Sequence, residues 1–376
     1  MVPETATATG APIRPEIVVG VDVLRLFAAA AVVVFHLGFK AFSDADGLVA
    51  TYTDLAPMRP ASWQWTWWGW IGVQIFFVVS GLVISISAQA PNMSVKRFVR
   101  GRLMRLIPAL LICATIALCV EIAFFGMDTF EALRLWLRTV LFHPLHPWIM
   151  GQFWTIGIEL GFYALILALI AVRRVALLPA VAAFLICLTG LYWAVRLGLG
   201  GTDPLGRVTQ LVLLQHGVYF GIGILLARSM HVDLSKGQWA AIGLGMLIAL
   251  VQISVAAGWE GGAAGLADQW PMAFAVFAGS IVLVYVSLQA NVRISAWVGA
   301  HVRAVRIAGM MTYPLYLVHN HIGKPVLAWS LNGGLSPAPA ATLAICAAVF
   351  VSWLIARYAE PWLSNHLYKG LARVSG

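Results

Sequence analysis

Long apolar runs separated by short polar segments recur along the whole chain, and this pattern predicts an all-α protein that crosses a membrane repeatedly. A run of about 20 apolar residues is long enough to span the hydrocarbon core as a helix. On this criterion about ten transmembrane helices are predicted, over residues 17–39, 67–90, 106–126, 150–172, 175–195, 209–227, 237–257, 270–288, 308–330 and 339–357. A short amphipathic or re-entrant helix is also predicted within 128–149, where Glu131, Arg134 and Arg138 share one helical face.

The composition agrees with a polytopic membrane protein. Of the 376 residues, 61% are hydrophobic and only 10% are charged, and the mean hydropathy is +0.87; about 25% charged residues is typical of a soluble domain. The net charge of +9 does not indicate nucleic-acid binding, because most basic residues fall in short loops between the apolar runs. The four cysteines lie inside apolar runs without metal-ligand spacing, so we expect packing roles for them and no metal site.

The loop charges predict the orientation of the helices. With the N-terminus in the cytoplasm, seventeen Lys and Arg residues face the cytoplasm and six face outwards. Because cytoplasmic loops are enriched in Lys and Arg, both termini are predicted to be cytoplasmic. We therefore expect a short cytoplasmic tail over 1–16, a membrane domain over 17–363 and a cytoplasmic C-terminal tail over 364–376, without an attached soluble catalytic domain.

The first predicted span carries three ionisable residues, Asp22, Arg25 and His36. Eleven helical residues make about three turns, so Arg25 and His36 are predicted to share one face about 16 Å apart. Asp22 and Arg25 are close enough in sequence to pair. Ionisable groups at membrane depth usually face a polar cavity and mark function, although a buried satisfied histidine and a snorkelling arginine remain the structural alternatives.

Two further clusters follow in the next spans. The apolar segment Gly72–Gly81 contains Gln74 and Ser80, which are candidates to line a cavity, while its small residues are typical of helix packing. Arg102 and Arg105 lie one helical turn apart and are suited to phosphate oxygens. The positive-inside rule also accounts for these two arginines.

Two more clusters lie later in the chain. Glu159 is followed by a long apolar stretch and has a short side chain that snorkels poorly, so a functional role or a structural ion pair is predicted for it. Trp154 and Tyr163 flank it, either as interfacial or as site residues. Tyr316 and His319 lie one turn apart in a proline-containing span, either as a hydrogen-bonded interfacial pair or as part of a site.

Taken in order, these clusters resemble the motifs of the acyltransferase 3 family of integral-membrane enzymes. The matching segments are Asp22-x-x-Arg25 with His36, Phe76–Gly81, Arg102–Pro108, Trp154–Tyr163, Tyr313–His319 and Tyr358–Pro361. The resemblance covers residues 14–363. The chain departs from the family in one place, because Leu160 and Gly161 stand where members commonly carry a second acidic or amide residue.

The resemblance implies a stand-alone O-acyltransferase of the plasma membrane, the inner membrane of a bacterium. It would move an acyl group, by default acetyl, from cytoplasmic acyl-CoA to a hydroxyl of a carbohydrate such as a polysaccharide or lipopolysaccharide. Arg25, Arg102 and Arg105 are then expected to hold the CoA phosphates. His36 would be the general base or a transient acyl carrier, and Glu159 would orient His36 or bind a sugar hydroxyl. The residues expected to line the substrate cavity are Asp22, Ser80, Trp154, Tyr163, Tyr316 and His319.

A proton-coupled secondary transporter is the alternative that the intramembrane residues allow. His36, Glu159 and His319 would then form a proton relay. Transporters often contain related halves with paired broken helices, and the sequence shows no such symmetry. The cytoplasmic arginine pair also has no evident role in that scheme, so the sequence favours the enzyme.

Overall fold

The computed structural model describes residues 18–43, 47–53, 61–203 and 205–374, and all regular elements in these ranges are helical. The predicted all-α polytopic fold is therefore confirmed. The predicted tail over 1–16 lies outside the described residues.

The helices are numbered here in chain order. They are α1 (Val19–Val34), α2 (Leu48–Tyr52), α3 (Gly72–Ala88), α4 (Val95–Ala123), α5 (Thr129–Val140), α6 (Trp154–Ala171), α7 (Leu178–Gly198), α8 (Arg207–Leu211), α9 (Gly217–Arg228), α10 (Lys236–Gly261), α11 (Trp270–Gln289), α12 (Asn291–Val298), α13 (Val302–Asn332), α14 (Pro337–Leu354) and α15 (Glu360–Val374). A π-helical segment, Phe35–Lys40, continues α1, and another, Ile355–Ala359, joins α14 to α15. A 3-10 helix, Ala61–Ile71, leads into α3.

Eight helices among the described residues are long and apolar enough to cross a membrane. They correspond to eight of the ten predicted spans. The predicted span over 308–330 lies within α13, a helix of 31 residues that carries two internal prolines and is not among the eight. The count of ten spans and the cytoplasmic location of both termini remain predictions.

The predicted span over 209–227 is broken, which the apolar pattern did not indicate. The chain forms the five-residue helix α8, leaves the helical conformation at Leu213 with a positive φ of 64°, and becomes helical again in α9, which has only 12 residues. Gly161 of α6 makes room for this break, because a Cβ there would collide with the carbonyl oxygen of Leu211. Gly161, one of the two residues at which the chain departs from the family motif, thus packs against the broken helix.

The short predicted helix within 128–149 is α5, an amphipathic helix of 12 residues. Asp128 caps it by accepting a hydrogen bond from the Glu131 backbone N–H at 3.0 Å. Glu131 and Arg134 pair on its exposed face with an N–O distance of 2.5 Å.

The ionisable first helix occupies a central position. It packs against α13, α3 and α11, and α13 in turn packs against α4 and α14. On the other side of the bundle, α9 packs against α3 and α7. The helices α1, α3 and α13 therefore carry Arg25, Ser80 and Tyr316 into one interior region. At the end of the chain, α15 covers most of the predicted tail over 364–376 as a helix, and its Tyr368 ring lies 4.3 Å from the guanidinium of Arg100.

Candidate active site

The described residues enclose a cavity towards each end of α1. The smaller has a volume of about 300 Å³ and includes Arg25, whereas the larger, of about 930 Å³, includes His36 and Lys40. Val73 and Tyr316 line both cavities. The wall between the two spaces is therefore formed by α3 and α13.

The smaller cavity is rich in arginine. Arg25, Arg102 and Arg105 line it together with a single carboxylate, Glu159, so positive charge is in excess. Arg102 donates to the Ser87 hydroxyl at 3.1 Å, and its buried Nε has no hydrogen-bond partner among the described residues. Guanidinium groups with free donors match the oxygens of phosphate. The helical spacing of the RLMR segment thus brings two arginines to one cavity, where Arg25 of α1 joins them.

The Glu159 carboxylate is held by two hydroxyl groups in this cavity. Ser80 donates to Glu159 Oε1 at 2.8 Å, and Tyr163, one turn further along α6, donates to the same oxygen at 2.5 Å. The guanidinium of Arg102 lies 5.8 Å from the centre of the Tyr163 ring. Hydrogen bonds to a charged acceptor are stronger than neutral ones, so these hydroxyls fix the carboxylate beside the arginines.

The Asp22 carboxylate, predicted to line the substrate cavity, lies 3.7 Å from Arg25 Nη1, and Asp22 does not itself line either cavity. Asp22 therefore positions the Arg25 guanidinium. The structure thus places Asp22 beside a lining residue and not among the lining residues, where it was predicted.

His36 lines the larger cavity. It lies in the π-helical segment that follows α1. Its Nδ1 lies 2.9 Å from the carbonyl oxygen of Val32. A carbonyl only accepts, so Nδ1 carries the hydrogen and Nε2 of the neutral ring carries the free lone pair. Single turns of π-helix often occur at functional sites. This local geometry gives His36 a basic nitrogen that is able to accept a proton.

His319 packs behind His36 and does not line either cavity, contrary to the prediction. The ring centres of the two histidines are 5.0 Å apart, and His319 is fully buried. Its Nδ1 lies 2.8 Å from the carbonyl oxygen of Tyr316, which fixes the ring orientation. Its Nε2 has no partner among the described residues. His319 therefore supports the His36 ring from the side of α13.

Glu159 and His36, both predicted to be catalytic, line different cavities, so the structure does not bring them together as the predicted orientation of His36 by Glu159 requires. That prediction followed from the resemblance to the family, and no local spacing relates His36 to a residue of α6. The remaining predicted residues divide in the same way: Ser80 and Tyr163 line the smaller cavity, Trp154 lines the larger, and Tyr316 lines both.

The larger cavity contains an ion pair and a histidine–carboxylate hydrogen bond that the sequence analysis did not identify. Lys40 Nζ lies 3.0 Å from Glu260 Oε2, and His321 Nε2 lies 3.2 Å from Glu121 Oε1. Each pair joins residues at least 200 positions apart, so no motif relates them. The available signal was the presence of Glu121 and Lys324 within or beside apolar runs, which indicates an interior polar space.

Indole and amide side chains also line the larger cavity. They are Trp70, Trp148, Trp154, Trp193, Trp259, Gln74, Gln152, Gln210, Gln215, Gln252 and Asn320. Ligand sites commonly combine apolar and aromatic walls with a few convergent polar groups. Amides both donate and accept hydrogen bonds, and indole rings provide flat apolar surfaces beside a single donor. This lining suits a polar ligand with hydroxyl groups.

One of three comparisons with known proteins identifies a family. The sequence model of the acyltransferase 3 family, described as an acyltransferase domain, matches residues 18–357, which is nearly the whole chain. A comparison with curated proteins finds no match, and neither does a comparison with solved structures. The matched region contains both cavities and every helix that lines them. This chain therefore belongs to the acyltransferase 3 family and is a multi-pass membrane acyltransferase.

Proposed function

We propose that this acyltransferase moves the acetyl group of acetyl-CoA, bound in the smaller cavity, to a carbohydrate hydroxyl in the larger cavity. The observation that carries the proposal is the pair of cavities, which share Val73 and Tyr316 and differ in chemistry. One has excess arginine and the other has histidine, amides and indoles. Membership of the family favours this function over the transporter alternative.

The donor is assigned to the smaller cavity because CoA carries a pyrophosphate and a further phosphate. Arg102 and Arg105 bind these groups, and Arg25, held by Asp22, adds a third cation. The loop charges support a cytoplasmic location for this end of α1, where CoA is available. Glu159 stays fixed by Ser80 and Tyr163 and limits the excess of positive charge in the cavity.

The reaction takes place at the wall shared by the two cavities. His36 Nε2 accepts the proton of the acceptor hydroxyl while that oxygen attacks the thioester carbonyl carbon. The carbon–sulfur bond then breaks, and the CoA sulfur takes the proton back from the imidazolium. The products are an ester and CoA with a free thiol. His319 and the Val32 carbonyl hold the His36 ring in position during both proton transfers.

The acceptor is a sugar of a cell-surface polysaccharide or lipopolysaccharide, and the protein acts in the plasma membrane of a bacterium. Support comes from the size and lining of the larger cavity. At about 930 Å³ it is within the range of cavities that enclose small organic ligands, and its indoles and amides suit sugar rings. A transient acyl group on His36 is the alternative route to the same ester.

The test uses protein purified in detergent, acetyl-CoA with a radiolabelled acetyl group, and soluble glycans. Wild type is expected to bind CoA and to label the glycan, whereas His36→Ala binds CoA equally well and transfers at least 100-fold more slowly. His231→Ala, a change of an exposed histidine outside both cavities, serves as the matched control. Wild-type protein that retains its fold but does not bind CoA would overturn the proposal. Label on the protein in the absence of glycan would instead indicate the acyl-histidine route.

A further inference from the structure

The broken helix between α8 and α9 places irregular backbone beside the larger cavity. The carbonyl oxygen of Gln215 accepts hydrogen bonds from the Gln252 amide and from Trp193 Nε1, the latter at 3.3 Å. Non-helical backbone at membrane depth occurs where it is buried in protein or lines a polar cavity. Gln215 and the next residue, His216, both line the larger cavity. The break therefore brings backbone and side-chain polar groups to this space.

His216 is the most unusual group at this position. Its side chain is buried, with 6% of its surface exposed, and it lines the cavity, yet neither ring nitrogen has a hydrogen-bond partner among the described residues. Its ring packs between Phe77, at 5.4 Å between ring centres, and Trp154, at 5.8 Å. A buried polar group without a partner is unfavourable, so such groups are rare unless they serve a ligand or another function.

Two buried amides of the same cavity share this property. Gln152 Nε2 and Gln252 Oε1 have no hydrogen-bond partner among the described residues, and their side chains are 6% and 3% exposed. Gln152 offers a donor, Gln252 offers an acceptor, and the neutral imidazole of His216 offers one of each. The neutral imidazole and the two amides carry no charge, and one of the two lysines of the cavity, Lys40, is paired with Glu260.

We propose that His216, Gln152 and Gln252 form a binding subsite for the hydroxyl groups of an uncharged sugar ring. A sugar hydroxyl both donates and accepts, so two or three neighbouring hydroxyls satisfy the four unpartnered atoms. Trp154 provides the apolar surface for the ring. This inference rests on the proposed function and narrows the acceptor from carbohydrates in general to neutral sugars.

The subsite lies close to the site of transfer. The backbone oxygen of Gln152 accepts a hydrogen bond from the Tyr316 hydroxyl at 3.4 Å. The Tyr316 ring is 6.3 Å from the His319 ring, which in turn contacts His36. Three contacts thus connect the subsite to the general base. A sugar ring held by the subsite presents its next hydroxyl towards the wall at which the acetyl group arrives.

The experiment measures acetyl transfer from labelled acetyl-CoA to methyl glycosides of glucose, galactose and mannose, to maltotriose, and to glucuronic acid. His216→Leu and Gln152→Leu are each expected to raise the KM for a neutral sugar about tenfold and to leave the KM for acetyl-CoA within twofold of wild type. His216→Gln, which restores one donor and one acceptor, is expected to recover most of the loss. His231→Leu is the matched control.

The outcomes separate this inference from the proposed function. Wild-type protein that transfers to no sugar overturns both. Transfer to glucuronic acid in preference to every neutral sugar, or an unchanged sugar KM in both leucine variants, overturns the subsite and leaves the acyltransferase proposal intact. Binding of CoA serves as the folding control, and the Gln152→Leu measurement decides the matter where His216→Leu does not fold.

Discussion

Gly81→Ala is predicted both to destabilise the bundle and to disturb the smaller, arginine-lined cavity. Gly81 of α3 faces the backbone of α9, and an added Cβ would approach the Phe220 Cα to 2.8 Å and its carbonyl oxygen more closely still. Ordinary contacts of a Cβ begin near 3.4 Å. Both atoms belong to the backbone and have no alternative rotamer, so the two helices must separate by more than half an ångström. Gly81 therefore serves helix packing, which is one of the two interpretations that the sequence allowed for Gly72–Gly81.

The magnitude follows from two opposing effects. Overpacking of this kind costs about 3 kcal/mol, whereas Gly→Ala in a helix interior gains about 1 kcal/mol, so the net loss is about 2 kcal/mol. Movement of α3 also shifts Ser80, the neighbouring residue, which bonds to Glu159 at 2.8 Å. We expect an apparent melting temperature several degrees below wild type, together with a raised KM for acetyl-CoA.

The assay is thermal unfolding in detergent, followed by size-exclusion chromatography. Gly243→Ala in α10 is the matched control, since an added Cβ there has no neighbour within 4 Å, and we expect it to be neutral or stabilising. If Gly81→Ala proves as stable as Gly243→Ala, the assigned approach of α3 and α9 is refuted.

Three further changes probe the two cavities. Arg105→Ala is expected to raise the KM for acetyl-CoA about tenfold, because a charge-assisted hydrogen bond to phosphate contributes about 1.5–3 kcal/mol, and an unchanged value in steady-state kinetics would contradict the donor assignment. Glu159→Gln weakens the bonds from Ser80 and Tyr163, so kcat/KM for the donor is expected to fall about tenfold while the KM for the sugar stays constant. Lys40→Met is expected to cost less than about 1 kcal/mol in thermal unfolding, since the pair with Glu260 is about one-third exposed, and a larger loss would show that the pair is structural.

The features that sequence predicted well depend on local spacing. The apolar runs identify most helices, because about 20 apolar residues in succession have few other stable arrangements. Arg102 and Arg105 reach one cavity because residues three apart lie on one helical face. The same rule relates Asp22 to Arg25 and places Tyr163 one turn beyond Glu159.

The features that sequence did not predict depend on contacts between distant segments. Orienting His36 was one of the two roles predicted for Glu159, but α6 carries Glu159 to the smaller cavity, while His319 of α13 contacts His36. The π-helical turn at His36 leaves no trace in the apolar pattern. The break before α9 was also missed, since Leu213 and its neighbours are apolar in either conformation and the space for the break comes from Gly161 of another helix.

The central claim is that acetyl-CoA and the sugar bind towards opposite ends of α1. They meet at His36, in the π-helical segment that follows α1. The most direct measurement is acetyl transfer by protein reconstituted into sealed vesicles in one known orientation. With acetyl-CoA supplied on the Arg25 side and a neutral sugar on the Lys40 side, the account predicts acetylated sugar, and it predicts none with the two substrates exchanged. Equal transfer in both arrangements, or transfer only when both substrates are on the Arg25 side, would contradict it.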